Sequence, residues 1–189
     1  MARGREGGKH MIIPGFLISI LTFPGVIVHE IAHQLFCRIC GVAVLDVCYF
    51  KAGNPAGYVV HEIPKKPSTN ILIGVGPFFV NSILGALIAL PGAIPILILK
   101  GTADYGFFEM FLIWLGVSIA MHAFPSTGDA QSMWSAIKGP DSSLLTKIIG
   151  FPIVGLIYIG AFGSVVWLDL FYGIGICGLI PNLILNILT

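Results

Sequence analysis

A chain of 189 residues that is 56% hydrophobic and only 10% charged, with a mean hydropathy of +0.94, is too apolar for a soluble domain and reads as a polytopic membrane protein. The net charge of +1, without a basic stripe interleaved with aromatics, argues against a phosphate-backbone binder, so no nucleic-acid partner is expected. Four cysteines do not make a disulfide framework. Cys37 and Cys40 form a lone C-x-x-C, for which small apolar filler is preferred to a metal or redox pair.

In chain order, the start M-A-R-G-R-E-G-G-K-H precedes an apolar run in the manner of a signal peptide. The run continues without a small-residue cleavage site, so it is read as a retained first span. That span is expected from about Met11 to about Phe36, bent at Pro14 and Pro24. Val42 to Lys51 is rich in β-branched and aromatic residues, Gly53 to Gly57 carries turn chemistry, and Tyr58 to Ile63 is again strand-like. A short hairpin is predicted there, ended by Pro64 and Pro67. The uncharged stretch Asn70 to Leu99 predicts a helix over about 77–98, kinked at Pro91 and Pro95. Its small residues four apart, Ser82 with Ala86 and Gly85 with Ala89, permit close packing in lipid. A third span is expected over about 107–123, then a helix starting near Ala130, and the tail suits two spans, about 148–168 and 171–188. The whole is expected to be one all-α membrane domain over 1–189, with four or five transmembrane helices. Its three-helix catalytic core would lie at about 11–135, its C-terminal helices at about 145–189, and a small β-hairpin between the first two helices.

The chemistry concentrates in Val28 to Gln34, V-H-E-I-A-H-Q. On a helix His29 and His33 stack on one face, so both imidazoles can reach one ion, while Glu30 is placed to meet a water there without binding the metal. One zinc per chain suits the site. Such a motif can arise by accident. An ionisable group at the centre of a membrane helix, however, costs roughly 2.5–3.5 kcal/mol on insertion scales, which makes it functional by default. If spans one and three cross in the same sense, Asp129 arrives on the side of His33 and completes two histidines and one carboxylate with an open position. Asp129 is equally the residue that would cap the helix following it. His122 is a candidate third ligand in its place, a candidate oxyanion helper, or a polar anchor at a helix end.

These residues resemble the site-2 protease-like intramembrane zinc metalloproteases. The resemblance rests on H-E-I-A-H at 29–33, on G-P-x-x-x-N at Gly76, Pro77 and Asn81 opening the next helix, and on an aspartate after the third core helix. In the third element His122 stands where the family has an asparagine, Pro125 follows three later, and T-G-D-A carries the aspartate one residue early. The resemblance implies a core of three helices and cleavage of substrate helices within or near the bilayer. It also implies a substrate segment that unwinds and pairs with a strand, held by Asn81 with Gly76 and Pro77. Tyr58, Val59 and Val60 lie on the candidate edge, which alternatively is only a cover for the site.

The function expected is therefore hydrolysis of peptide bonds in a membrane-protein substrate, with Glu30 as general base. The alternative is a membrane zinc transporter or sensor using the same ligands. Cell-membrane localisation is expected, with the lipid bilayer as a second partner. Arg38, Lys51, Lys65, Lys66, Lys138 and Lys147 favour a cytoplasmic active-site side, as the resemblance implies, while the basic N-terminus pulls the other way.

Overall fold

A computed structural model describes residues 15–99 and 106–188. The expected start of the first span at Met11, the bend at Pro14 and the basic N-terminus lie outside the described residues. These comprise seven α-helices and a two-stranded sheet in the order α1 (Gly15–Leu21), α2 (Phe23–Ile39), β1 (Val44–Cys48), β2 (Tyr58–His61), α3 (Pro67–Leu99), α4 (Phe107–Met121), α5 (Thr127–Lys138), α6 (Leu144–Gly163) and α7 (Leu168–Leu188).

Among the described residues, three helices are long and apolar enough to cross a membrane: Pro67–Leu97, Leu144–Gly163 and Leu168–Ile187. The expected first span is divided. Thr22 turns its hydroxyl back onto the Ile18 carbonyl at 2.7 Å, and Pro24 stands in the first turn of α2. This leaves pieces of 7 and 17 residues. α4 has only 15, a rise of about 22 Å against a hydrocarbon thickness of about 30 Å.

The tail does form two long helices. α7 runs unbroken through the glycines and Pro181. α3 begins ten residues before the expected start, with Pro67 as its first residue. Proline suits that position, since its missing N–H has no helical partner to lose. The first turns of α3 therefore carry Asn70, Ile73 and Gly74 toward the site, where a loop was expected.

The hairpin pairs antiparallel, Cys48 with Tyr58, Val47 with Val59 and Asp46 with Val60, with an irregularity between Val44 and Asp46. Tyr49 donates to the Gln34 side chain on α2 at 2.7 Å, which pins the hairpin beside the H-E-x-x-H helix. All four cysteines are free, and Cys37 is fully buried, as apolar filler should be.

α2, α3 and α4 meet in a tight three-way seam. A Cβ at Gly25 would overlap the Ser118 carbonyl, so only glycine lets α2 come this close to α4. Asn81, fully buried, sits at the junction. Its Nδ2 is 3.2 Å from the Gly25 carbonyl, 3.1 Å from that of Ile119 and 3.2 Å from that of His122. A second seam joins α5 and α6 around Ile71, Met133, Ile137, Val154 and Ile157. In lipid such contacts act through packing and interhelical hydrogen bonds, because the tails are as apolar as the side chains. Asn81→Ala should therefore lower stability by about 1–3 kcal/mol, the cost of leaving buried carbonyls without their donor. Thermal unfolding of the purified protein in detergent checks this, and an unchanged midpoint would remove Asn81 from the junction.

Candidate metal centre

His29 and His33 lie one turn apart on the buried face of α2, with Glu30 between them, all three less than a tenth exposed. Their Nε2 atoms are 3.1 Å from each other, and Asp129 Oδ1, from the first turn of α5, is 3.5 Å from His33 Nε2. The three ligand atoms all fall within 4.8 Å of one another.

The opposite ring nitrogens are both committed. His29 Nδ1 is 2.7 Å from the His122 carbonyl and His33 Nδ1 is 3.1 Å from the Ile73 carbonyl. A carbonyl only accepts, so each Nδ1 carries the proton, and in the neutral ring each Nε2 is then a bare lone pair. Two lone pairs and a carboxylate oxygen facing one another require a positive centre among them. A shared proton or a metal ion meets that requirement, and the carboxylate suits the doubly charged ion. The buried group of His29, His33 and Asp129 can hold a metal ion.

Each acceptor carbonyl is free for a structural reason. His122 caps the C-terminus of α4, where the last carbonyls have no intrahelical donor. Ile73 lies inside α3, but the residue four ahead is Pro77, which has no N–H to donate. Pro77 thus leaves the Ile73 carbonyl open to His33.

Asp129 caps its own helix with one carboxylate oxygen and turns the other toward the histidine pair. Oδ1 faces His33, while Oδ2 accepts from Ser126 N at 2.8 Å and Ser126 Oγ at 2.6 Å, and Ser126 Oγ accepts from Asp129 N at 3.2 Å. This is a capping box, which fixes the carboxylate through the start of its own helix. Burial pushes the Asp129 carboxyl up, but the facing His33 and the bonds from His33 and Ser126 outweigh it and hold the group well below the usual carboxylate range.

The centre opens into a cavity of about 360 Å³ walled by α2, the hairpin, α3 and α5, within the usual size of a ligand site. Tyr58 and Val59 line it. Val60 points outward, 45% exposed. The Tyr58 hydroxyl is engaged by Asp46 at 3.0 Å. Gly57 lies directly on Glu30: a Cβ there would be 2.7 Å from Glu30 Cγ and 2.8 Å from Oε1. Only glycine lets the hairpin close over that carboxylate.

Some expected assignments change. Asn81, Gly76 and Pro77 do not line this cavity. Asn81 is the helix junction described above, Gly76 makes room for the Phe36 ring, and Pro77 acts through the Ile73 carbonyl. The His122 imidazole is not among the clustered ligands. Its Nε2 is 2.8 Å from Thr22 Oγ1, and the residue contributes its carbonyl instead. Ser126 and the Ile73 carbonyl were missed. The first had a legible signal, S-x-x-D at 126–129, whereas the second needed the true start of α3.

Comparison with family models, with curated proteins and with solved structures finds no match to this chain.

Two substitutions test the supporting atoms. Ser126→Ala should weaken metal affinity about 10- to 100-fold, the usual effect of removing an outer partner of a ligand. Pro77→Ala returns an N–H that competes for the Ile73 carbonyl, so metal affinity should fall about tenfold while α3 becomes no less stable. Titration with a competing chelator beside thermal unfolding measures both. Unchanged affinity in the two variants would detach these residues from the centre.

Proposed function

We propose that this chain is an intramembrane zinc metalloprotease, cleaving peptide bonds in transmembrane or membrane-adjacent segments of other proteins. The observation that carries it is the convergence of His29 Nε2, His33 Nε2 and Asp129 Oδ1 beside the Glu30 carboxylate, at the wall of a cavity large enough for a peptide.

Zinc fits the donors: with bonds of about 2.0–2.1 Å and tetrahedral angles, two ligand atoms on one ion stand about 3.3–3.4 Å apart. The pairs 3.1 Å and 3.5 Å apart lie near that value, and with all three atoms within 4.8 Å of one another a modest inward shift of Asp129 toward His29 would let all three hold one ion. Three protein ligands leave the fourth position open, as in catalytic zinc sites. When bound, the ion supplies Lewis-acid chemistry, acidifying water and polarising a carbonyl.

The chain's own part is proton handling and placement. Glu30 takes a proton from the attacking water as the water oxygen bonds to the carbonyl carbon, and delivers it to the amine nitrogen as the C–N bond breaks. Gly57 and the hairpin cover Glu30, which limits the water around it. The β2 strand, beside the cavity, offers backbone groups to a substrate that has given up its helical hydrogen bonds. In this reading α2 and α4 sit in the bilayer beside the three long helices, giving the four or five membrane helices expected. The resemblance of H-E-I-A-H and G-P-x-x-x-N to the site-2 protease-like family agrees with this function and orientation.

A transporter would need ionisable groups along a path across the membrane. Among the described residues only one group of three potential ligands converges.

Glu30→Gln should retain about one zinc per chain and lose peptide cleavage by at least about 100-fold, the lower range of a general base's contribution. Purified wild type and variant, compared by metal analysis and by cleavage of synthetic transmembrane peptides in detergent, measure this. Near-wild-type cleavage by the variant would sink the general-base role. Zinc uptake into liposomes without cleavage would favour transport.

A further inference from the structure

We propose that Asn70 and Ser132 form a binding subsite for a backbone peptide group of the substrate, on the α3–α5 wall of the same cavity. The proposal rests on the peptide-hydrolase function above and extends it to a recognition residue on each of two helices.

Asn70 stands in the first turns of α3, only 6% exposed, and its Nδ2 donates to Ser132 Oγ at 3.1 Å. Both residues line the cavity that holds Glu30 and the ligand group. Their neighbours in the seam are apolar: Ile71 and Ile73 on α3, Met133 on α5, all nearly or fully buried. Asn70 is the buried member and Ser132 the exposed one, so the pair sets a polar edge on an otherwise apolar seam where it meets the cavity. As a tie between helices the pair is half employed. One N–H goes to Ser132; Asn70 Oδ1, the second amide hydrogen and the Ser132 hydroxyl hydrogen make no other side-chain hydrogen bond to the described residues and face the open cavity.

What remains is one acceptor and two donors at a cavity wall. A primary amide presents the same acceptor and donor pair as a peptide bond, so it is complementary to the N–H and C=O of an extended chain. The chemistry therefore selects backbone, not a particular side chain.

The pair also has a defined place relative to the reacting centre. Asn70 is three residues before Ile73, whose carbonyl holds His33, and Ser132 is three residues after Asp129. Each lies nearly one turn, about 4.5 Å of helix rise, from an atom that fixes the metal group. With about 3.3 Å per residue in an extended chain, the peptide group held there is one or two residues from the scissile bond.

The experiment uses synthetic transmembrane peptides that the wild type cleaves, with Asn70→Ala, Ser132→Ala and Ser132→Thr variants of the full chain. Loss of one hydrogen bond to the substrate should raise KM about tenfold in each alanine variant, with zinc content unchanged and Ser132→Thr restoring most of the loss. In a peptide series with each backbone amide near the cleavage site replaced by an ester, one replacement should weaken binding to Glu30→Gln protein. The same replacement should have no further effect once Asn70 is also alanine. Variants that keep the wild-type KM but unfold at lower temperature would overturn the subsite and leave a helix tie. A wild type that binds zinc but cleaves no peptide would take down the hydrolase function and the subsite together, so the two failures are distinguishable.

Discussion

The constraint on which this structure depends is the approach of two imidazoles whose Nε2 atoms face each other at 3.1 Å with their protons held on the far side. Left alone, that arrangement is repulsive. It persists because backbone carbonyls on two other helices hold each ring by its Nδ1, and because a carboxylate faces the same point. α2 alone therefore cannot make the site. It needs the end of α4 for His29, the interior of α3 for His33 and the start of α5 for the third oxygen. The Gly25 contact and the Asn81 junction set the depth at which α2 meets α3 and α4. The His122 carbonyl receives both His29 and Asn81, so the metal group and the helix junction share an atom.

The hairpin covers Glu30 and so bounds the volume of water that the proposed hydrolysis would use. β1 and β2 are short, and a two-stranded sheet alone is marginal. Here it is fastened to α2 through Tyr49 and Gln34 and rests Gly57 against Glu30. The general base proposed is thus covered by the hairpin, while the imidazoles below it are held by carbonyls of the packed helices.

The sequence made the convergence of His29, His33 and Asp129 legible and much of its support illegible. The four-residue spacing of His29 and His33 and the even number of crossings expected between them and Asp129 follow from helix geometry and connectivity, which are local or simply counted. Asp129 reads as either ligand or cap because either use needs only one carboxylate oxygen; in the structure one oxygen caps α5 and the other faces His33. The start of α3 was misread because Pro67 was taken as a stop, although proline serves equally as a first helical residue. That shift hid the role of the Ile73 carbonyl. Asn81 was assigned to substrate on family resemblance, yet a buried amide donor at a three-helix junction is first claimed by the carbonyls around it. Which carbonyls those are depends on tertiary packing that no spacing encodes.

Pro77 connects the membrane to the chemistry. In an apolar surrounding an unpaired carbonyl costs several kcal/mol, so a proline within an apolar helix persists only if something else satisfies the carbonyl it leaves free. In α3 that partner is the Nδ1–H of His33. The dependence runs both ways: the imidazole needs the carbonyl to present Nε2 inward, and the helix needs the imidazole to tolerate its proline. A soluble scaffold would meet neither need so strictly, because water satisfies a stray carbonyl at little cost. The poor solvation that makes ionisable groups expensive in this chain is therefore also what holds His33 in one tautomer and one orientation.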